Sequence, residues 1–327
     1  MDRTNPRTTA LERRPMDAIP LFFLLGFAAR LARSDLKIPA QLYEALSIYL
    51  LLAIGLKGGM ELARQDALHV LPQALSVMTL GVIIPLVAFP LLYKVGRFDR
   101  ANAAAIAGHY GSVSVVTFAV GVDYLIARGA EFEAYMPLFL VLLEMPGIAV
   151  GILLARLGGD FRAIRWGTLG HEIFLGKSMV LLGGGLLIGW VAGPQGLAPL
   201  EPFFFTLFKG VLCLFLLEMG LVAASQAPAL RTSGPFLAAF AIVMPIVAAL
   251  LGTFVGMLIG LSPGGTLLLA TLAASASYIA APAAMRIAVP EANPGLSITA
   301  ALVVTFPFNI LVGVPLYDRV VGLVHGG

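Results

Sequence analysis

The stretch Ala107–Val116, "AGHYGSVSVV", places glycine, histidine, tyrosine and two serines inside an otherwise apolar run. A second stretch, Ala273–Ala283 with the sequence "AASASYIAAPA", repeats this mixture of small, hydroxylated and helix-weakening residues. Glycine and proline weaken helices. Inside a membrane, an interrupted helix is tolerated only where protein or a water-filled cavity provides hydrogen-bond partners for its free backbone groups. The two stretches therefore predict two interrupted membrane helices.

The composition supports a membrane protein. Of the 327 residues, 59% are hydrophobic and only 12% are charged, whereas a soluble domain is typically about 25% charged. The net charge of +3 gives no reason to expect a nucleic-acid partner. One cysteine and four dispersed histidines show no metal-ligand spacing. We expect no cofactor other than a coupling ion.

Ten apolar runs are long enough to cross a bilayer as helices. They do not show the alternating ten-residue segments of a membrane barrel, so an all-α polytopic fold is predicted. The runs are 17–33, 40–63, 70–94, 101–122, 134–156, 175–193, 203–225, 233–261, 265–288 and 296–320.

The two halves of the chain resemble each other at an offset of 163 residues. "LLGFAAR" at 24–30 matches "LIGWVAG" at 187–193, and "SVSVV" at 112–116 matches "SASYI" at 275–279. Five helices per copy would invert the second copy, as in secondary transporters; chance similarity between apolar sequences is the alternative. The predicted organisation is a polar segment 1–16, a first repeat 17–157, a linker 158–174 and an inverted repeat 175–321.

Basic residues predict the orientation, because short cytoplasmic loops are rich in lysine and arginine. One set of loops carries nearly all of them, although the four arginines of the N-terminal segment favour the opposite orientation. We expect a cytoplasmic central loop and external termini. The basic set comprises Arg30, Arg33, Lys37, Lys94, Arg97, Arg100, Arg156, Arg162, Arg165, Lys177, Arg231 and Arg286.

The interrupted helices predict an anion site. A half-helix that starts at an interruption presents free N–H groups and partial positive charge. Inverted symmetry would bring two such ends together, with the hydroxyls of Ser112, Ser114, Ser275 and Ser277 as further donors. Neither stretch contains lysine or arginine, so a small planar anion is favoured over a heavily charged one. Ordinary helix packing at small residues is the alternative.

Acidic and amide groups inside the spans predict a cation site near the anion. A buried carboxylate in a membrane is costly and marks function by default, and carboxylate, amide and hydroxyl oxygens suit a hard cation such as sodium. A structural carboxylate, protonated or paired, is the alternative for Glu144. The candidate ligands are Glu144, Thr305, Asn309 and, more weakly, Asn102 and Asp123.

Lys57 and Glu218 are also intramembrane, at near-equivalent places in the second and seventh spans. They either pair with each other or face a water-filled vestibule. We expect a structural or gating role for them, because their helices carry few interruption signals.

Three stretches resemble the sodium-dependent bicarbonate permease family best known from cyanobacteria. They are "GHYGSVSVVTFAVG" at 108–121, "GLKGGMELA" at 55–63 and the whole of Ser275–Tyr317. The resemblance implies a ten-helix inverted repeat, a core domain moving against a gate domain, and a homotrimer. It further implies sodium-coupled bicarbonate uptake across the plasma (inner) membrane and control by a small PII-like protein from the cytoplasm.

The family's binding residues transfer by motif. The connection 157–174 is shorter than in cyanobacterial members, a departure that concerns the regulator more than transport. The bicarbonate site falls on Gly111, Ser112, Val113, Ser275, Ala276 and Ser277, to which the hydroxyl argument adds Ser114. Sodium is expected close by, at Ser112 and Ser275 together with Asn102, Glu144, Thr305 and Asn309.

Other functions predict different behaviour. The same architecture could carry another small anion or an organic acid, which substrate competition would reveal. A passive anion channel would show no sodium dependence, and a receptor for a cytoplasmic partner would show no transport. An intramembrane enzyme is not expected, because the chain shows no catalytic constellation. ATP-driven transport is not expected, because the chain has no Walker motif.

Overall fold

The computed structural model describes residues 18–65, 67–157 and 166–326. These residues form helices joined by short connections, with no β-strand among them. The all-α prediction is therefore confirmed over the described chain. The predicted polar segment 1–16 and residues 158–165 of the predicted linker lie outside the described residues.

Sixteen α-helices are described, several of them separated only by a π-helical turn or a short break. The linker's second half is helical (α8) and contacts α9 and α13. The helices are α1 Ala18–Leu31, α2 Ala40–Leu62, α3 Ala67–Pro90, α4 Arg100–Gly111, α5 Val115–Ile126, α6 Met136–Leu143, α7 Pro146–Arg156, α8 Trp166–Leu175, α9 Lys177–Leu197, α10 Phe208–Ser233, α11 Pro235–Leu258, α12 Pro263–Ala274, α13 Ala280–Ala288, α14 Pro294–Ile298, α15 Phe306–Phe308 and α16 Val314–Val324.

Eight helical stretches in the described chain are long and apolar enough to cross a membrane. Two shorter apolar helices, α1 and α12, coincide with the first and ninth predicted runs. The chain is thus a multi-pass helical membrane protein, and its division into a ten-helix five-plus-five repeat stays a prediction. The eight stretches are Ala40–Leu62, Val70–Val95, Arg100–Ile126, Met136–Arg156, Lys177–Leu200, Phe208–Leu230, Pro235–Leu258 and Pro294–Val324.

The outer surface is apolar. Val191, Leu258 and Phe254 are 76%, 72% and 64% exposed, and many other large aliphatic side chains point outward. A soluble monomer rarely exposes large contiguous apolar surface, whereas lipid tails solvate such side chains without cost. This surface therefore fits a bilayer environment.

The helices that carry the two interruptions form the centre of the molecule. Every residue from 103 to 121 is buried, and so is every residue from 264 to 277. Their helices α4 and α12 pack against α3 and α11 respectively, with α7 against α4 and α16 against α12. The polar residues of both interruptions are therefore enclosed by protein.

Two helix pairs at the periphery cross at glycines. Helix α1 packs on α10, and α9 packs on α2. A methyl group at Gly220 would lie 2.7 Å from the backbone nitrogen of Phe27, and one at Gly59 would lie 2.7 Å from that of Trp190. Small residues allow this close backbone approach, which drives helix association in membranes.

Substitution of Gly189 in α9 should separate α9 from α2. A Cβ atom there would lie 2.8 Å from the backbone nitrogen of Met60, so Gly189→Leu forces the helices apart. Overpacking costs about 1–3 kcal/mol, and we expect a lower thermal unfolding midpoint in detergent. Gly184→Leu in the same helix is the control, since a Cβ there meets nothing within 4 Å. Equal midpoints for the two variants would contradict this packing.

Candidate functional site

The first interruption lies between α4 and α5. Helix α4 ends at Gly111, and Ser112 takes an extended conformation with φ −95° and ψ 176°. Helix α5 starts after Ser114, whose side-chain oxygen accepts a hydrogen bond from the backbone N–H of Thr117 at 3.2 Å. Serine caps a helix in this way because its hydroxyl satisfies an otherwise free donor. The break predicted in this span is confirmed.

The second interruption lies between α12 and α13. Helix α12 ends at Ala274, and Ser275 is extended with φ −79° and ψ 165°. Helix α13 begins at Ala280, with Ser277 Oγ accepting from the N–H of Ala281 at 3.1 Å. The break is confirmed, but Pro282 does not cause it: this residue lies in the first turn of α13, where a missing N–H breaks no helical bond.

The two breaks cross each other at the centre of the molecule. The backbone N–H of Ser114 donates to Ser275 Oγ at 2.9 Å. The backbone N–H of Ser277 donates to the carbonyl oxygen of His109 at 2.8 Å. Each break thus provides a hydrogen-bond partner for a backbone group of the other break, as interrupted helices in a membrane require. The structure brings together the two stretches that the sequence singles out.

Two hydroxyls, one in the first break and one a helical turn before the second, are buried without a hydrogen-bond partner in the described structure. Ser112 Oγ and Thr271 Oγ1 lie in residues that are 1% and 0% exposed. A buried polar group left unpaired costs about 1–3 kcal/mol, so these two hydroxyls, unlike those that already have partners, are available to a ligand. Thr271 lies four residues before Ser275, on the helix α12. It was not predicted from the sequence, because it precedes the stretch of small and hydroxylated residues that indicates the break.

The other predicted serines are already engaged. Ser275 Oγ donates to the carbonyl of Leu272 at 2.7 Å while accepting from the N–H of Ser114. Ser114 Oγ donates to the Tyr278 hydroxyl at 3.2 Å. Val113 and Ala276, also predicted, are buried beside them. The side chains of these residues stabilise the conformation of the breaks. A ligand would therefore contact their backbone groups rather than their hydroxyls.

Thr305 is bonded to the first break. Its hydroxyl donates to the carbonyl of Ala241 at 2.6 Å, so the Tyr110 hydroxyl must donate to Thr305 Oγ1, also at 2.6 Å. Thr305 ends a π-helical stretch, Thr299–Thr305. Such π-helical turns occur frequently at functional sites, and this one was not predicted from the sequence.

Asn309 is bonded to the second break. Its side-chain amide donates to the carbonyl of Ala274 at 2.9 Å and accepts from the Tyr317 hydroxyl at 2.7 Å. Asn309 also opens a π-helical stretch, Asn309–Gly313. Thr305 and Asn309 thus brace one break each from the same C-terminal helical span.

Glu144 lies in the gap between α6 and α7, one turn before Gly147. A methyl group at Gly111 would lie 2.7 Å from the Cα of Gly147, so α7 starts directly against the first break. Glu144 is 4% exposed, and its Oε2 has no hydrogen-bond partner in the described structure. A buried carboxylate oxygen without a partner, beside a break, is suited to receive a cation.

Asn102 and Asp123 lie away from the crossing. Asn102 is nine residues before Gly111, about 14 Å along α4, and its amide is bonded to Asp99 and to the backbone N–H of Asn293. Asp123 forms an ion pair with Lys209. The structure does not bring these two candidates to the other site residues.

Cavities approach the crossing from opposite directions. The lysine cavity, about 290 Å³, lies beside α5 and is lined by residues that include Lys57, Glu61, Asp123 and Lys209. The histidine cavity, about 230 Å³, lies beside α4 and is lined by residues that include His109, Arg286 and Ser297. Because α4 and α5 form one span, Arg100–Ile126, the two cavities lie on opposite sides of the break.

Lys57 therefore faces a vestibule, one of the two arrangements expected from the sequence. The pair with Glu218, the other arrangement, is not formed: the ion pairs in the described structure join Arg64 to Glu61, Arg156 to Glu291 and Lys209 to Asp123.

The geometry fits the binding of a small anion and a cation at a buried crossing between two cavities. Helices α5 and α13 both start at the crossing, where their first N–H groups and the Ser112 hydroxyl are donors. Glu144 supplies negative charge one helical turn before Gly147, which packs against Gly111 at the first break.

Comparison with known proteins agrees with this geometry. A family model described as the Na+-dependent bicarbonate transporter superfamily matches residues 19–322, which include both breaks. A comparison with curated proteins finds no match. The match covers nearly the whole chain, and the family is one of transporters rather than enzymes. The chain belongs to the Na+-dependent bicarbonate transporter superfamily.

Proposed function

We propose that the protein is a sodium–bicarbonate symporter that works by alternating access. The observation that carries the proposal is the crossing of the two helix breaks, with the free Ser112 hydroxyl and the buried Glu144 carboxylate beside it. In this proposal bicarbonate binds at 111–114 and 275–277 and accepts hydrogen bonds from backbone N–H groups and Ser112. No other cofactor takes part.

The proposed sodium ion lies next to the anion. Among the predicted ligands, Glu144 and Ser112 have oxygens without partners, whereas Ser275, Thr305 and Asn309 are engaged in bonds to the breaks. Glu144 and Ser112 would therefore be the first oxygen ligands of the sodium ion. The other three would join through remaining lone pairs. Asn102 and Asp123 take no part in this arrangement.

Alternating access is supported by the two cavities. The lysine cavity and the histidine cavity end on opposite sides of a buried crossing, where Ser112, Ser275 and Ser277 are at most 1% exposed. A site that is closed to both sides needs a movement to open it. We propose that the glycine-lined pairs α1/α10 and α2/α9 form a gate and that the broken helices form the moving core.

The matching glycines also support the proposed inverted repeat. Gly26 and Gly189 occupy equivalent positions at the offset of 163 residues. Each lies at a crossing with the second helix of the other half, α10 and α2 respectively. Reciprocal packing of this kind is expected of two repeats related by a pseudo-twofold axis.

The energetics favour coupling to sodium. Importing one anion against about 100 mV costs roughly 2.3 kcal/mol, and one accompanying sodium cancels that charge. A tenfold sodium gradient then contributes about 1.4 kcal/mol, enough for roughly tenfold accumulation. A second sodium would be needed for more.

The cellular setting is part of the proposal. We place the protein in the plasma (inner) membrane, with the Arg286 side in the cytoplasm because most basic loops lie there. A homotrimer and control by a PII-like protein follow from the family resemblance alone. The helix α8, exposed at His171 on the predicted cytoplasmic side, is the part of the described linker that such a regulator would meet.

Uptake into proteoliposomes tests the function. We expect labelled bicarbonate to accumulate when an inward sodium gradient is present, and to stop accumulating when potassium replaces sodium. An excess of unlabelled bicarbonate should suppress the signal. Equal flux with either cation would indicate a channel, and competition by a carboxylate but not by bicarbonate would indicate another anion as substrate.

A further inference from the structure

The histidine cavity contains two buried polar groups that the proposed transport site does not use. His109 and Ser297 are 2% and 1% exposed, and both line this cavity. His109 Nε2 and Ser297 Oγ have no hydrogen-bond partner in the described structure. Two unpaired polar atoms in the wall of one cavity are suited to a polar ligand, because each costs stability while it is unpaired.

The hydrogen bond of His109 defines what its free nitrogen offers. Its Nδ1 lies 2.7 Å from the carbonyl oxygen of Ala105. A carbonyl oxygen only accepts, so Nδ1 carries the proton. In the neutral ring Nε2 is then an acceptor. The cavity therefore presents an acceptor at His109 and a hydroxyl at Ser297.

Arg286 provides the charge at this cavity. Its side chain lines the cavity from α13 and is exposed, so the cavity opens to solvent on that side. Apart from Arg286, His109 and Ser297, the residues that line it are alanine, methionine, proline and valine. A ligand here meets one positive charge, one donor and one acceptor.

We propose that the histidine cavity is a second binding site, for a small oxyanion that carries both a proton and a negative charge. Bicarbonate fits: its O–H donates to His109 Nε2, while its charged oxygens accept from Ser297 and Arg286. The inference rests on the proposed function. It adds a second bicarbonate site on the side of the crossing where Arg286 lies, the predicted cytoplasmic side. Because the backbone carbonyl oxygen of His109 accepts the N–H of Ser277 at the crossing, this second site adjoins the transport site.

Chemical protection tests this second site in the full-length protein. Ala292→Cys, at a half-buried residue that lines the histidine cavity and is not a proposed ligand, is made together with Cys213→Ser, since Cys213 is the single cysteine of the chain. The added Ser112→Ala change and the absence of sodium weaken the transport site. The rate of modification by methyl methanethiosulfonate is then measured with no added anion, with bicarbonate and with nitrate. Nitrate is planar and similar in size but has no proton to give to His109.

We expect bicarbonate to slow modification of Ala292→Cys at least fivefold and nitrate to slow it less than twofold. Adding Arg286→Gln, a change at an exposed side chain, should abolish the protection. Ala134→Cys is the matched control: this half-buried alanine lines the lysine cavity, on the other side of the break, and should not be protected.

Several outcomes overturn the second site. They are no protection by bicarbonate, equal protection by nitrate, protection that survives Arg286→Gln, and equal protection of Ala134→Cys, which would indicate a global closure. Because the assay uses no sodium and no transport, its result is independent of the uptake experiment. Uptake without protection would contradict only the second site. Protection without uptake would contradict the symport proposal.

Discussion

Ser112→Ala should lower the initial rate of bicarbonate uptake at least tenfold at low bicarbonate while leaving the thermal unfolding midpoint unchanged. The hydroxyl is buried and has no partner within the described structure, so its removal breaks no bond in the empty protein. A hydrogen bond to a charged ligand contributes about 1.5–3 kcal/mol, which corresponds to roughly 10- to 150-fold in binding. The measurement is sodium-driven uptake across a range of bicarbonate concentrations.

Ser76→Ala is the matched control. This serine lies in α3, where its hydroxyl donates to the carbonyl of Pro72 at 2.9 Å, and it should transport normally. Ser275→Ala should behave differently from both variants. It removes the acceptor for the N–H of Ser114, so stability and uptake should fall together. Normal uptake by Ser112→Ala would remove Ser112 from the site.

The interruptions were predictable because they depend on local chemistry. Glycines 108 and 111 and the flanking serines weaken a helix wherever they occur, and both breaks lie within the quoted stretches. The position of the second break was less accurate. Pro282 is the strongest helix-breaking residue of its stretch, yet the chain tolerates it in a first turn and breaks at Ser275–Ile279 instead.

The state of each hydroxyl was not predictable, because it depends on partners far away in the chain. Ser112 and Ser275 occupy equivalent positions in the two halves, but only Ser275 receives a backbone N–H, from Ser114, 161 residues away. The same holds for Thr305, whose partner Tyr110 is 195 residues away. Sequence shows which groups are polar and buried, whereas tertiary contacts determine which remain free for a ligand.

The carboxylate of Glu144 is the strongest test of the sodium site. Glu144→Gln preserves volume and one oxygen but removes the charge, so we expect the sodium concentration for half-maximal uptake to rise at least tenfold. A buried negative charge beside a cation is favourable because the surrounding dielectric is low. Glu201→Gln is the control, since this exposed carboxylate lines neither the lysine cavity nor the histidine cavity.

Thermal unfolding separates this role from a structural one. Without sodium, Glu144→Gln should unfold at the same temperature as the unaltered protein or higher, because Oε2 has no partner to lose. Sodium at about 100 times its dissociation constant should stabilise the unaltered protein by about 2.7 kcal/mol, and the variant by much less. A variant that unfolds early without sodium, yet gains the same stabilisation on its addition, would show that Glu144 supports the fold and that sodium binds elsewhere. The stability readout needs no transport, so it tests the cation site even if another anion is the substrate.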